Sequence, residues 1–469
     1  MNRYRIKISE VDYEELKRLV LSDMPREAGA FALAGFSPLG KGGEIIVRRP
    51  IKIPKEMFFL QHEYRLEVST QAINGLVALC EGNGLGAILC HSHPEDLNYS
   101  PSDDYGERRI VDTLRNFIPP DAPTASLLFS PNGVAGRVWL PGISSPIPLS
   151  EIIIIGRSIR RIMSRSLQAN RVDDIYDRQV RAFGKDGQLL INRAKVGVVG
   201  VGGTGSPVAE QLVRLGVKDI VLIDPDVFDD SNITRVYGAY TDSRRFQLSP
   251  LRRKQALKVD LVAYNLRKIC PDSTVRAISS SVVLTEAAKQ LLDRDVIFLC
   301  TDEHWGRSIV NQIVYQYFIP AVNLGARISS NNGKVSAAVG TVDVLRPDNP
   351  CLWCSQFIRA ERIAAESTPR KYRQNLEQER YVEEVNSKTP SVISVTTAIA
   401  GMGVSMFIQL LTDFMGDTGG VSRLNYNVLD GSVRRGTTTI PKECVCKQVR
   451  GFGSLKSIPT FDDLSFLGE

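Results

Sequence analysis

Histidine is scarce in this sequence, with four residues among 469, and two of the four stand close together as His91 and His93. The first residues alternate charged and apolar side chains and contain no apolar core of the kind that directs secretion. No concentrated basic run is present, so the formal charge of +6 gives no indication of nucleic-acid binding. We therefore expect a cytoplasmic protein that binds neither nucleic acid nor a membrane.

Charged side chains are absent between Ser391 and Thr412, a stretch long enough to span a membrane. Its serines, threonines and glycines, together with Gln409, favour a buried helix instead. Cysteine is limited to eight residues, and four of them form two tight pairs, Cys351/Cys354 and Cys444/Cys446. Without a secretion signal, such pairs indicate metal binding rather than disulfides.

A glycine-rich turn follows a predicted buried strand from Val196 to Val199, and it contains Gly200, Gly202, Gly203 and Gly205. A helix and a second strand follow, and that strand ends at Asp224. This βαβ pattern, with an acid about twenty residues after the glycines, predicts a phosphate site at a helix N-terminus. By itself the pattern fits a nicotinamide-binding domain as well as an ATP-binding one.

The residues after the second strand separate these two interpretations. Asp226, Asn232 and Arg235 add a carboxylate, an amide and a guanidinium where ligands of open α/β sheets bind. Ribose, metal and phosphate ligands are thus offered together. This combination suits nucleotidyl transfer better than hydride transfer.

At these residues the sequence resembles the ThiF/MoeB/ubiquitin-activating superfamily, whose members adenylate the C-terminal carboxylate of a ubiquitin-like protein. The similarity runs from Arg178-Gln179 through the glycine turn and the Asp224-Pro-Asp226 segment to Cys300-Thr301-Asp302. It implies a Rossmann-like doubly wound adenylation domain that binds ATP and Mg²⁺ and forms a homodimer. The partner would be a ubiquitin-like or sulfur-carrier protein, with a conjugating enzyme or a sulfur donor downstream.

The resemblance also implies roles for single residues: Arg178 reaching the triphosphate across the dimer, Asp224 at the ribose, Asp226 beside it among the nucleotide-binding residues, Asn232 and Arg235 at the phosphates, Lys254 neutralising the triphosphate, and Asp302 binding magnesium. Because the stretch before Lys254 is longer than in the simplest members, Arg252 and Arg253 stay open as substitutes. The four paired cysteines resemble the family's structural zinc site, with unpaired core thiols as the alternative. No cysteine lies between Cys354 and Cys444, so a separate thiol or sulfur donor would accept the adenylate.

The N-terminal part has its own candidate site. Its strands and helices predict a separate α/β domain in which His91 and His93 project from one strand end to the same side. Two histidines and a following carboxylate leave a fourth tetrahedral position for water, as in catalytic zinc sites.

This part resembles the JAB/MPN (JAMM) metalloprotease family, whose motif is a glutamate, then His-Ser-His-Pro, then a serine and an aspartate. The similarity implies Glu27 as the general base, His91, His93 and Asp103 as zinc ligands, and Ser100 as the oxyanion donor. Asp104 is the alternative to Asp103. The implied reaction is zinc-dependent hydrolysis of an amide or isopeptide bond made by a ubiquitin-like protein.

The predicted organisation is a JAB/MPN-like α/β domain over residues 1–150, a linker helix over 151–172, an adenylation domain over 173–450 and a tail over 451–469. The predicted function is a bifunctional enzyme that processes and adenylates a ubiquitin-like protein. Three alternatives stay open: a partly degenerate scaffold that binds such a protein, activation of a sulfur carrier for biosynthesis, and a nicotinamide oxidoreductase.

Overall fold

The computed structural model describes residues 3–163, 172–241, 256–369, 372 and 390–465. The chain forms two compact units, neither of which is continuous in sequence. The N-terminal unit consists of Met1–Ala169, Tyr315–Phe318 and Val449–Ser457. The C-terminal unit consists of Asn170–Val314, Ile319–Gln448 and Ile458–Glu469.

The N-terminal unit is built on a nine-stranded sheet with the order β11-β10-β1-β3-β2-β6-β7-β8-β9. Its elements are β1 (Tyr4–Ser9), α1 (Glu10–Leu21), β2 (Gly29–Leu39), β3 (Gly42–Lys52), β4 (Phe58–His62), β5 (Arg65–Val68), α2 (Thr70–Asn83), β6 (Gly86–Ser92), α3 (Pro101–Leu114), β7 (Thr124–Ser130), β8 (Gly133–Trp139), β9 (Ile147–Pro148), β10 (Glu151–Ile155) and β11 (Ile159–Met163). Strands β4 and β5 form a separate hairpin.

Helices cover both faces of this sheet. Leu16 of α1 belongs to the core on one face, whereas Leu76 of α2 and Leu114 of α3 belong to the core on the other. Serine caps begin these helices: the hydroxyl of Ser9 accepts the Asp12 N–H at 3.2 Å, and that of Ser69 accepts the Ala72 N–H at 3.3 Å. Buried β6 brings His91 to the end of the sheet.

The prediction of a linker helix after residue 150 is wrong. Residues 151–163 form the antiparallel pair β10 and β11, and β10 lies parallel to β1. The sequence Glu-Ile-Ile-Ile-Ile explains the difference, because β-branched side chains favour strands and all five residues of β10 are buried. Arg165, predicted to lie on the same helix, is outside the described residues.

A segment from the far end of the chain completes the N-terminal unit. The Arg450 guanidinium donates to the Ser9 hydroxyl at 2.9 Å and to the Asp12 carboxylate at 2.8 Å. Gly453 forms a parallel bridge with Phe36 at the edge of β2. The predicted tail therefore begins as a packed part of this unit.

The C-terminal unit contains an eight-stranded sheet with the order β14-β13-β12-β15-β16-β17-β18-β19. Its elements are α4 (Asp177–Arg193), β12 (Lys195–Val199), α5 (Gly205–Leu215), β13 (Asp219–Ile223), α6 (Lys258–Ile269), β14 (Thr274–Ile278), α7 (Thr285–Lys289), β15 (Val296–Leu299), α8 (His304–Tyr317, whose last turn belongs to the N-terminal unit), β16 (Ala321–Asn331), β17 (Lys334–Leu345), α9 (Ala360–Glu366), α10 (Ile393–Thr412), β18 (Arg423–Asn427), β19 (Ser432–Arg435) and α11 (Val445–Val449).

The first five strands of this order are parallel, and β17 to β19 extend the sheet with antiparallel pairs. The predicted βαβ unit corresponds to β12, α5 and β13. Helix α10 is long and apolar enough to cross a membrane, yet Ile399, Phe407 and Leu410 are among its residues in the buried core of the unit. A parallel sheet with buried strands places the ends of β12, β13 and β15 at one edge, where the candidate site lies.

Candidate functional site

Two glycines of the turn between β12 and α5 occupy positions that other residues do not fit. Gly200 has a φ of +84°, which favours glycine, and a Cβ added to Gly205 would lie 1.8 Å from the Gly200 carbonyl oxygen. Gly202 is not constrained in this way, because a Cβ at this position would have no described residue within 4 Å. The turn therefore brings backbone N–H groups to a helix N-terminus in the manner of a phosphate site.

Asp224 ties this turn to the end of β13. Its carboxylate accepts the Val201 N–H at 2.8 Å and the Asp226 N–H at 2.9 Å. The side chain is buried, and this burial raises the pKa of Asp224 above its usual value. A carboxylate has further lone pairs, so these two contacts leave acceptor capacity for a ligand hydroxyl.

A lysine that the sequence argument did not select lies at this edge. Lys258 is the first residue of α6, and its ammonium lies 2.6 Å from the Asp226 carboxylate. The predicted Lys254 and its alternatives Arg252 and Arg253 are outside the described residues. Lys258 begins α6, which comes after the Asp-Pro-Asp segment. This position could have identified Lys258 from the sequence as a candidate site residue.

Arg235 lies against the glycine turn, because a Cβ at Gly203 would be 3.2 Å from its Cδ atom. Asn232 is buried and its side-chain oxygen accepts the Asp229 N–H at 3.2 Å, which makes it a local cap. Arg178 is exposed on the first turn of α4. The structure thus brings Arg235 to the turn, whereas Arg178 stays at the surface of its own helix.

Carboxylates gather where β15 ends. Asp302 and Glu303 follow this strand, and the negative charges of Asp224 and Asp226, which follow β13, act on Glu303. Although part of its side chain reaches solvent, desolvation first, and then the nearby carboxylates, raise the pKa of Glu303 to about 7. A hard divalent cation prefers oxygen donors, and its charge would relieve the repulsion between these carboxylates.

Glu366 at the end of α9 also faces this edge. Its carboxylate accepts the backbone N–H groups of His304 at 3.0 Å and Trp305 at 2.7 Å, which begin α8. Negative charge at a helix N-terminus is favourable. Neither Glu303 nor Glu366 is predicted from the sequence, because no motif marks Glu303 and no spacing rule links residue 366 to this edge.

The four paired cysteines meet in the C-terminal unit. Their sulfur atoms lie 3.4 to 3.9 Å apart in the measured pairs, and the whole group lies within 4.8 Å. Zinc–sulfur bonds of about 2.3 Å give a tetrahedron with edges of about 3.8 Å. Hydrogen bonds from the other thiols, that from Cys446 above all, lower the pKa of Cys351 to about 5. The cluster is consistent with a structural zinc site.

A second donor set lies in the N-terminal unit. The Nε2 atoms of His91 and His93 each lie 3.4 Å from an oxygen of Asp103, and the His91 Nε2 is buried without a hydrogen-bond partner among the described residues. Zinc bonds of about 2.1 Å to nitrogen or oxygen give tetrahedral edges of about 3.4 Å. The three side chains therefore fit a zinc ion with one position left open.

The alternative ligand Asp104 points elsewhere, because it forms an ion pair with Arg137. The structure thus favours Asp103 over Asp104. Burial acts to raise the pKa of Asp103, but the adjoining imidazoles of His91 and His93 outweigh it and leave the pKa below its usual range.

The two other predicted residues of this site lie beside the histidines. Glu27 Oε1 is 3.5 Å from His93 Nε2, and burial raises the pKa of Glu27. The Ser100 hydroxyl donates to Asp103 Oδ2 at 2.8 Å and caps α3. A partly desolvated carboxylate next to an open metal position can act as a general base.

Comparison with known proteins assigns one of the two units. Residues 176–447 match the ThiF family, and this match leaves the N-terminal unit unassigned. The chain is 27% identical over 194 residues to the SAMP-activating enzyme E1 of Haloferax volcanii, covering 41% of this chain and 64% of that protein. It is 34% identical over 153 residues to the adenylyltransferase and sulfurtransferase uba4 of Emericella nidulans, covering 32% and 30%. The chain thus spans less than two thirds of these relatives.

Among solved structures, E. coli MccB with MccA-N7isoASN superposes with a TM-score of 0.46 at 16% identity, covering 59% of this chain and 75% of that one. A structure of E. coli MccB without a named ligand covers 87% and 94%, with a TM-score of 0.43 at 13% identity.

Proposed function

Because the chain belongs to the ThiF family, we propose that its C-terminal unit uses ATP and Mg²⁺ to adenylate the C-terminal carboxylate of a ubiquitin-like or sulfur-carrier protein. The observation that carries this proposal is the meeting of the glycine turn, the Asp226–Lys258 pair and the carboxylates after β15 at one sheet edge. The partner's carboxylate attacks the α-phosphorus of ATP. An acyl-adenylate forms and pyrophosphate leaves.

The reaction brings one anion to another, so positive charge must be supplied. The backbone N–H groups of the turn and the Arg235 guanidinium would hold the phosphates, and the Lys258 ammonium would oppose the developing charge. Asp302 and Glu303 would hold Mg²⁺, which supplies charge neutralisation on the phosphate oxygens. Asp224 would accept a ribose hydroxyl while it keeps the turn in place. In a dimer, Arg178 would reach the partner's triphosphate.

The acceptor of the adenylate is most simply another molecule. The sequence has no cysteine between Cys354 and Cys444, and burial raises the pKa of Cys300 well above its usual range. A thiolate is the nucleophile in such transfers, so a thiol with a raised pKa is unsuited. The names of two relatives, one activating SAMP and one a sulfurtransferase, support a sulfur carrier at least as well as a protein modifier.

Pyrophosphate exchange tests this function. The full chain is incubated with ATP, Mg²⁺, labelled pyrophosphate and small proteins that end in glycine from the same genome. We expect label to enter ATP only when one of these proteins is present. Exchange should fall at least 100-fold in Lys258→Met, whereas Lys289→Met, which loses an exposed lysine that pairs with Glu286, serves as the control. Absence of exchange with every candidate at saturating ATP argues against adenylation and favours a binding scaffold.

For the N-terminal unit we propose a second activity, zinc-dependent cleavage of an amide or isopeptide bond at the C-terminus of a ubiquitin-like protein, and the grouping of His91, His93 and Asp103 supports it. His91, His93 and Asp103 would hold the ion, which supplies an acidified water and polarises the carbonyl. Glu27 would take a proton from the attacking water and pass it to the leaving amine. The Ser100 hydroxyl, close to Asp103, would donate to the oxyanion.

Glu27→Gln separates chemistry from metal binding, since the amide keeps the shape but cannot take a proton. We expect cleavage of a ubiquitin-like fusion to fall at least 100-fold while zinc content stays the same. The control is Glu67→Gln, which changes an exposed carboxylate on β5. Undiminished cleavage by Glu27→Gln would remove the role given to this residue.

A further inference from the structure

A buried charged network lies beneath the histidine site, and neither proposed reaction uses it. The Glu107 Oε2 atom accepts from Trp139 Nε1 at 2.7 Å, from Ser126 Oγ at 2.9 Å and from Arg137 Nε at 3.0 Å. The side chains of Glu107 and Arg137 are each 7% exposed. One carboxylate and one guanidinium are therefore enclosed by strands β7 and β8 and helix α3.

The network contacts the element that carries one metal ligand. Arg137 pairs with Asp104 and with Glu107, which lie on successive turns of α3. Asp103 directly precedes Asp104, and Ser100 caps the same helix. A guanidinium that pairs with carboxylates on two turns fixes both the rotation and the axial position of a helix, because its donors have a rigid fork geometry.

The same guanidinium is linked to a second ligand through an aromatic ring. The Arg137 guanidinium lies over the Tyr99 ring, with 3.6 Å from Cζ to the ring centroid. Tyr99 in turn contacts the His91 ring edge-on, at a centroid distance of 5.9 Å. Arg137 is thus one aromatic ring away from His91 and one residue away from Asp103.

Stability alone gives little reason for this arrangement. A buried ion pair is often no more stabilising than apolar side chains of the same volume, because both charges must leave water. Groups behind a metal site, by contrast, orient its ligands, and losing them typically weakens metal binding 10-fold to 100-fold. We propose that the Arg137–Glu107 pair is the positioning group of the histidine site and that it sets the affinity of this site for zinc. The inference rests on the proposed zinc function of the N-terminal unit.

Zinc competition with a coloured chelator on the full-length protein tests the inference. The N-terminal equivalent of zinc is identified as the one missing from His93→Ala. We expect Arg137→Met to bind this equivalent at least 10-fold more weakly and Arg137→Lys, which keeps the charge but not the fork, to lie between Arg137→Met and the native protein. Glu107→Gln, which keeps the side-chain shape, should also weaken binding and covers the case in which Arg137→Met does not fold.

Arg161→Met is the matched control. It breaks another arginine–glutamate pair of this unit, the one between Arg161 and Glu151 at 3.0 Å. Arg161 lies on β11, which is an edge strand of the sheet and is separated from β6 by several strands. Thermal unfolding of the metal-free proteins is measured alongside. A loss of stability with native zinc affinity in both Arg137→Met and Glu107→Gln would overturn the inference and leave the zinc site standing. Equal zinc content of His93→Ala and the native protein would instead overturn the zinc site itself, and the inference with it.

Discussion

Each of the two donor sets has ligand atoms close enough to hold one metal ion, but the sets differ in how completely they would enclose it. The cysteine cluster offers four sulfur atoms and no free position, with sulfur pairs 3.4 to 3.9 Å apart. The histidine site offers three donors, with Glu27 beside the place of the fourth. Closed zinc sites hold folds together and open ones perform chemistry, so the contrast predicts different consequences when a ligand is removed.

The sets also differ in the length of chain that they tie together. The cysteine cluster connects a turn at residues 351–354 to residues 444–446, whereas His91 and Asp103 are near neighbours in sequence and are already ordered by β6 and α3. Closing a long loop removes more chain entropy than closing a short one. Stability should therefore depend strongly on the first set and weakly on the second.

The largest effect is expected from Cys444→Ser. A hydroxyl is a poor zinc ligand, and the energy of zinc binding at a structural site, about 10 to 16 kcal/mol in isolated zinc-finger peptides, is coupled to folding. We expect loss of one zinc equivalent and loss of the cooperative thermal transition of the C-terminal unit. Zinc analysis and calorimetry measure both, with Cys270→Ser as the control for a cysteine outside the cluster. Native unfolding of Cys444→Ser would contradict the structural role.

A smaller effect is expected from Arg450→Met in the segment that completes the N-terminal unit. Its ion pair with Asp12 joins side chains 15% and 9% exposed at 2.8 Å, and removing one partner leaves the other charge enclosed. Breaking such a pair costs about 3 to 5 kcal/mol. Chemical denaturation monitored at Trp139 of this unit would show the shift. The control Arg181→Met breaks an exposed pair with Asp177 and should cost less than about 0.5 kcal/mol.

The smallest change in stability is expected from His93→Ala. The variant should lose one zinc equivalent, yet the free energy of unfolding of the metal-free protein should change by less than about 2 kcal/mol, because β6 and α3 are held by their own cores. Metal analysis and thermal unfolding check both parts, with His62→Ala as the control. If His93→Ala unfolds the N-terminal unit as completely as Cys444→Ser unfolds its own unit, the distinction between open and closed sites fails here.

Much of the fold follows from local patterns in the sequence. The apolar runs before Gly200 and His91 form β12 and β6, since continuous apolar runs of this length fit strands that are buried on both faces. The helix expected after residue 150 is the clearest error. Arginines spaced as in this segment also fit the solvated face of a helix, but Arg160 and Arg161 alternate sides on a strand and pair with Glu10 and Glu151. A period of two and a period of 3.6 are hard to distinguish over five residues.

The site residues show the same difference between what local sequence patterns predict and what they do not. Residues fixed by short spacings, such as His91 with His93, came from the sequence because neighbouring positions on one strand share a direction. Lys258 and Glu366 did not, because each reaches the site from a separate element. Glu303 stands next to the predicted Asp302, but only the fold brings the charges of Asp224 and Asp226 to bear on it. Lys254 stays a prediction, since it lies outside the described residues.

The sequence by itself determined the chemistry on offer: glycines that admit a phosphate, paired thiols, and two histidines beside acids. These are local properties, set by backbone freedom and by the donor atoms of single side chains. Only the tertiary structure decided which distant groups act together. It paired the Lys258 ammonium with the Asp226 carboxylate and joined the cysteine pairs across about ninety residues. It also brought the Arg137 guanidinium into contact with the Tyr99 ring and the Glu107 carboxylate. These contacts between distant residues depend on how strands and helices pack, which is a property of the whole chain.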